Sequence, residues 1–319
     1  MATTPDIHLL SSLTEPALAA AVLMVRPAAF GPNPETAATN RFQVRGASDP
    51  QIVAAAQAEF DALARALDRA GIEVMAAEDA GEPPKPDAVF PNNWFSTHAD
   101  GTVVLYPMLT PSRRLERRPE IITALARRHG RRISAILDLS PWESRGAALE
   151  GTGALVLDRA RRIAYVCESP RAAAEPLAQW ARLMDYRVEA FSAKGPDDVA
   201  IYHTNVMLTL GRGFAAIALD AITDAGARRR VERSIEEGGD EIIALSAAQV
   251  AGFSGNLLHL EGSRGAVIAM SEAARRSLGA AHLARLERYG EIVSVPIPTI
   301  ERYGGGSVRC MLAEMFLPV

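Results

Sequence analysis

Tyr202-His203-Thr204-Asn205-Val206-Met207-Leu208-Thr209-Leu210, then Gly211-Arg212-Gly213, then Phe214-Ala215-Ala216-Ile217-Ala218-Leu219, is the stretch on which the fold turns. A polar start leads into an apolar run, a glycine turn sends the chain back, and a second apolar run follows, which reads as a hairpin. Helical spacing over about 223–236 comes next. The same order recurs on both sides. Upstream, Asp87 to His98 returns as Thr102-Val103-Val104-Leu105-Tyr106 across Asp100-Gly101, followed by helical spacing over 116–130 and a strand-like run over 133–139. Glu150-Gly151-Thr152-Gly153 precedes strands over 154–158 and 163–167, a helix over about 171–184 and a strand over 186–191. Downstream, strands over 256–260 and 266–270 flank a turn at Gly262–Gly265, with a helix over 271–289 and a strand over 292–295. At the N-terminal side, a strand over 21–25, a helix over 50–70 stopped by Gly71 and a strand over 72–75 fit the same plan. The last strand is expected over 308–316.

A repeat of roughly 50–60 residues marks propellers and solenoids rather than a doubly wound sheet. About five units fit the chain. A ring of five would bring four polar starts to one axis: Phe90–Trp94, Glu150–Gly153, His203–Asn205 and Gly304–Cys310. Residues 1–20 read as a poorly ordered lead, and 21–319 as one α/β domain.

The 319 residues are 48% hydrophobic and 23% charged, the profile of a globular protein with a large core. A net charge of −4 gives no electrostatic argument for a nucleic-acid partner. Arginine pairs at 113–114, 117–118, 127–128, 131–132 and 161–162 are interrupted by acids or apolar residues, and read as solvated faces. Two cysteines, Cys167 and Cys310, make no disulfide framework. The first twenty residues lack a basic signal-peptide start, and no run of about 18 apolar residues marks a membrane span. A cytoplasmic location is the expectation. A homodimer suits this size, but no residue anchors an interface.

Gly304-Gly305-Gly306-Ser307-Val308-Arg309-Cys310 carries the chemistry. Glycines supply positive φ and close approach, and they deliver Cys310 to the edge of an apolar segment. Cys310 is either a small buried hydrophobe or a nucleophile. A thiol becomes nucleophilic when a neighbouring base or cation takes its proton. His203, beside Thr204 and Asn205, is the best acid/base candidate; the other reading is a capped histidine at a strand edge. His98 and His129 are weaker, and His259 reads as a satisfied core histidine. Glu150 is the acid directly ahead of a glycine turn and a buried strand, suited to binding a substrate cation or holding a catalytic histidine. Asn92 and Asn93 are turn formers or pocket walls. No metal-ligand spacing appears, and Gly151-x-Gly153 and Gly211-x-Gly213 are followed by hairpins, not by the helix of a dinucleotide site.

The order Phe-x-x-Asn, Glu-Gly-x-Gly, His-x-Asn and Gly-Gly-Gly-x-x-Arg-Cys-Met resembles the guanidine-modifying (pentein) superfamily across roughly 20–319. The resemblance implies a five-bladed α/β propeller, no metal, no organic cofactor and a covalent intermediate on a cysteine. It implies Cys310 as nucleophile, His203 as proton shuttle and Glu150 as the glutamate on substrate nitrogen. Asn93, Asn205 and Gly153 stand where arginine deiminases carry aspartates. Amides both donate and accept, so Asn93 and Asn205 suit a neutral ureido group better than a guanidinium. The chain thus resembles the citrulline-utilisation hydrolase branch, with a small amino-acid substrate. Arg41 and Arg309 are candidates for its carboxylate. The alternatives are a hydrolase of arginine or methylated arginine, and a non-catalytic amino-acid-binding member.

Overall fold

The structure, a computed structural model, describes residues 15–37, 39–44, 46, 49–195 and 198–319. Among these, the strands form five three-stranded sheets of one design. In each, a first strand runs antiparallel to a second, and a third joins parallel to the second after a crossover helix. Phe95–Thr97, Thr102–Leu105 and Ala135–Asp138 form one sheet, with Pro119–Arg128 as its crossover helix. Leu155–Asp158, Ile163–Cys167 and Arg187–Phe191 form the next, around Ala174–Met184. Leu208–Leu210, Phe214–Ile217 and Glu241–Ala244 follow, around Ala225–Glu236. Leu258–Gly262, Gly265–Ser271 and Glu291–Val295 follow in turn, around Glu272–Leu286.

The remaining sheet uses both ends of the chain. Ala21–Arg26 is its middle strand and Glu73–Glu78 its parallel neighbour. Ala313–Glu314 supplies the antiparallel strand, pairing Leu23 with Ala313 and Val22 with Glu314. The crossover helix Pro50–Arg69 shows why the plan folds locally. The Asp49 side chain caps it by accepting from Gln51 N, Pro50 opens it, and Ala56, Phe60, Leu63 and Leu67 make the buried stripe.

Burial falls from the first strands outward. Phe95–Thr97 is wholly buried, whereas Ala135–Asp138 on the outer edge of the same sheet is largely exposed. The inner strand 155–158 neighbours 208–210, which neighbours 258–262, and 313–314 neighbours 95–97.

Several expectations change. Of the expected lead, residues 1–14 lie outside the described residues, but Glu15, Leu18 and Ala19 are buried. The expected strand over 308–316 is instead a helical turn, Val308–Met311, followed by the two-residue strand. Polar starts cannot join a ladder at the sheet ends, so turn hydrogen bonds satisfy their backbone. Cys310 N donates to Ser307 O, Met207 N to Thr204 O, and Trp94 N to Pro91 O. Pro91–Asn93, Gly151–Ala154 and Thr204–Val206 are accordingly helical turns. The strand Glu241–Ala244, short and half exposed, has no counterpart in the sequence reading.

Candidate active site

These turns meet at one place. The turn 151–154 packs against both 91–93 and 204–206, and 308–311 packs against 91–93. Side chains stitch neighbouring starts together: Thr152 Oγ1 donates to Asn92 O, Thr204 Oγ1 to Ala154 O, and Asn256 Nδ2 to Asn205 O. Glycine is required where the packing is tightest. A Cβ on Gly153 would lie 2.3 Å from Asn93 Nδ2 and 2.9 Å from the His203 ring. Of the three consecutive glycines, Gly305 has positive φ (+65°), while Gly304 and Gly306 let the ring of Phe90 approach.

Cys310, His203 and Asn93 line one cavity of about 20 Å³ with Asp87, Arg113 and Arg171. That volume is room for about one water. A strap over residues 39–44 borders it, with Asn40 in the lining. Asn40 Nδ2 donates to Gly304 O (3.2 Å), Gln43 Nε2 to Tyr303 O (2.9 Å) and Val44 N to Arg302 O (2.9 Å).

Glu150 is fully buried behind His203 and heavily engaged. Its Oε2 accepts from His203 Nε2 (2.8 Å) and Arg171 Nη1 (3.2 Å), with Arg113 Nη1 at 3.6 Å. Its Oε1 accepts from Leu109 N (3.2 Å). Burial opposes its charge, but Arg171, His203 and Arg113 outweigh that and hold the carboxyl well below the usual carboxylate range. Burial pushes the His203 imidazole down to about 4, against the pull of Glu150. His203 is therefore neutral at pH 7. Nε2 carries the proton toward an ionised carboxylate, which leaves Nδ1 as the free base.

Arg113 corrects the sequence reading. The pair 113–114 was expected on a solvated face, yet Arg113 is buried. Nε and Nη2 grip Glu116 at 3.0 and 2.9 Å, and Nη1 donates to Asn93 Oδ1 at 2.8 Å. The Arg-x-x-Glu spacing of 113 and 116 was the available signal. Arg171, which the sequence reading missed, lies over the Tyr202 ring at 4.8 Å and donates through Nη2 to Thr39 Oγ1 (2.8 Å). Asp87 was also missed. Its Oδ2 accepts from Asn33 Nδ2 (2.8 Å). Asp87 Oδ1 and Arg171 Nε find no hydrogen-bond partner among the described residues.

Asn205 lies at the nucleophile candidate, with Nδ2 3.6 Å from Cys310 Sγ. The two expected carboxylate anchors are elsewhere. Arg41 is exposed and lines a separate, mostly apolar pocket beside Phe42. Arg309 is buried outside the cavity, donating through Nη1 to Leu257 O near Glu314 and Arg159. His259 is a core histidine, as expected, with Nε2 3.2 Å from Tyr289 O. His98 is buried between Ser96 Oγ (3.0 Å) and Glu15 Oε1 (2.9 Å).

A family profile described as N,N dimethylarginine dimethylhydrolase, eukaryotic, matches residues 26–317. Comparison with curated protein sequences gives no match. Among solved structures, an apo arginine dihydrolase from the ornithine–ammonia cycle in Cyanobacteria is similar at TM-score 0.71 and 17% identity, over 94% of this chain and 41% of that one. This chain thus spans less than half the length of that chain. A substrate-bound variant of the enzyme's N-terminal domain gives 0.72 and 17%, over 93% and 99%. A dimethylarginine dimethylaminohydrolase variant, as an adduct with S-methyl-L-thiocitrulline, gives 0.64 and 15%, over 92% and 99%. The profile and these folds together place the molecule in the pentein superfamily. Within that class, the chain belongs to the N,N dimethylarginine dimethylhydrolase family.

Proposed function

We propose that the chain hydrolyses the ureido C–N bond of citrulline or a close ureido amino acid, in one domain over 21–319 whose five sheets ring the site. The observation that carries this is the commitment of Glu150. Its carboxylate already serves His203, Arg171 and Arg113, and the side chains on Cys310 Sγ are amides. A guanidinium needs free acceptors; a neutral ureido group needs donors for its oxygen as well. The far end of an amino acid suits the two unpartnered atoms in the wall. Asp87 Oδ1 would take the α-ammonium and Arg171 Nε the α-carboxylate.

In this reading Cys310 gives its proton to His203 Nδ1 and attacks the ureido carbon. The bond to the ornithine nitrogen breaks, and His203 passes the proton to that leaving amine. The S-carbamoyl thioester is then hydrolysed by a water that His203 deprotonates, and the carbamate decomposes to ammonia and carbon dioxide. The rival reading is hydrolysis of arginine or methylated arginine, and the family's description names dimethylarginine. Separate incubations with citrulline, arginine and dimethylarginine test the proposal. Ornithine from citrulline is the expected result. Citrulline accumulating from arginine or dimethylarginine, with added citrulline left intact, overturns it.

A further inference from the structure

The fourth sheet to follow in the chain, that of Leu258–Gly262, also begins on a polar residue, Asn256, which the sequence reading passed over as part of a strand. Asn256 is 1% exposed. Its Oδ1 accepts from Arg309 N at 3.1 Å. Its Nδ2 donates to Asn205 O at 2.9 Å and lies 3.3 Å from Cys310 Sγ. The orientation is fixed from both sides, because a flipped amide would set donor against donor at Arg309 N and acceptor against acceptor at Asn205 O. The backbone beside the nucleophile thus aims one N–H of this amide at the sulfur. It is nearer than the Asn205 amide, whose Nδ2 is 3.6 Å away.

We propose that Asn256 is a catalytic residue that holds, through Nδ2–H, the negative charge developing on Cys310 Sγ as the proton departs. The inference rests on the reading of Cys310 as the nucleophile. A hydrogen bond to a charged group is among the stronger ones, and this one strengthens as sulfur goes from thiol to thiolate. Other groups face the same sulfur or its cavity: Tyr202 and Arg309 interact with it electrostatically, and His203, Asp87, Arg113 and Arg171 line the same cavity. All of them are retained when Asn256 is changed.

The test is alkylation of the intact protein by iodoacetamide, which reads thiolate without needing a substrate. Cys167 is a silent background, since burial pushes its thiol up to about 12. A Cys310→Ser control confirms the labelled site. Asn256→Asp is the decisive variant: it adds a carboxylate charge and loses the donor to Asn205 O, but it keeps an acceptor for Arg309 N and loses the donor to sulfur. Asn256→Ala loses both. Near neutral pH, both variants are expected to alkylate about tenfold more slowly or worse, the cost of one charge-assisted hydrogen bond. Asn256→Asp should be at least as slow as Asn256→Ala, and citrulline kcat should fall with KM little changed. Wild-type alkylation by Asn256→Asp, with only Asn256→Ala slowed, overturns the proposal and leaves Asn256 as a support for Arg309. Slowed alkylation in a chain that leaves citrulline untouched supports this inference while removing the citrulline reading. Citrulline turnover with alkylation unchanged in both variants does the reverse.

Discussion

Glu150→Gln separates a carboxylate that serves His203 from one that grips the substrate. The variant keeps the shape and removes the charge. In the native site Oε2 is 2.8 Å from His203 Nε2 and 3.2 Å from Arg171 Nη1. In the proposed reaction His203 takes the thiol proton and becomes an imidazolium facing this carboxylate. Two unit charges about 4 Å apart at an effective dielectric constant of about 20 attract by about 4 kcal/mol. Losing that support in the proton-transfer step lowers kcat by about 10³-fold. KM for citrulline changes little, because Glu150 is occupied before the substrate arrives. Two buried arginines also lose a counter-charge. Breaking a buried pair costs about 3–5 kcal/mol, which lowers Tm by roughly 4–8 °C. Steady-state kinetics with ornithine as readout, below the lowered Tm, give both constants. A near-native kcat with a large rise in KM would refute the reasoning and return Glu150 to the substrate cation.

Three further outcomes follow from the same geometry. His203 has a folded pKa of about 4, against an ordinary value of 6.5. The unfolded chain binds the extra proton between them, so the stabilisation is complete above about pH 6.5 and is lost as pH falls to about 4, by about 3 kcal/mol. Denaturant titrations of His203→Asn should lack that part of the acid slope; an unchanged slope counts against a buried neutral histidine. Asn40→Ala removes the amide that ties the strap to Gly304 O and Gly305 O at 3.2 and 3.4 Å. Net hydrogen-bond values of about 1 kcal/mol predict several-fold faster tryptic cleavage at exposed Arg41, and cleavage at the wild-type rate would mean the strap does not depend on this tie. Glu15→Gln strips the charge from a buried carboxylate bonded to His98 Nδ1 (2.9 Å), Arg159 Nη1 (3.0 Å) and Tyr186 Oη (3.1 Å). Tm should fall by several degrees while kcat per folded molecule holds, and an unchanged Tm would show that the N-terminal segment is not clamped there.

The repeat was legible because each unit changes pattern in the same order, from the continuous apolar runs of a hairpin to helical spacing. Closure was harder to read. The strand pairing with Ala21–Arg26 is two residues long, Ala313–Glu314, too short to leave a pattern. Cys310, His203, Glu150, Asn93 and Asn205 were visible as polar residues stranded at the starts of apolar runs. Asn256 was equally visible in Ser254-Gly255-Asn256-Leu257 and was absorbed into a strand. Arg113 and Arg171 were not legible by that rule. Arginine in a basic stretch is usually solvated, and of the acids around Arg113 only Glu116 is its neighbour in sequence; Asp87 and Glu150 come from distant segments that the fold brings to it. The carboxylate anchors were sought beside the nucleophile, at Arg309, and in the first loop, at Arg41. The cavity instead takes its cations from the segments that follow the second strands of two neighbouring sheets.

The most direct measurement is the mass of the peptide bearing Cys310 after the enzyme is quenched during turnover of citrulline. A carbamoyl group on Cys310, absent from Cys310→Ser and from unreacted protein, is what a thiol attack on an uncharged ureido carbon requires. An unmodified Cys310 peptide under citrulline, with an amidino adduct under arginine or methylated arginine, would contradict the account at its centre.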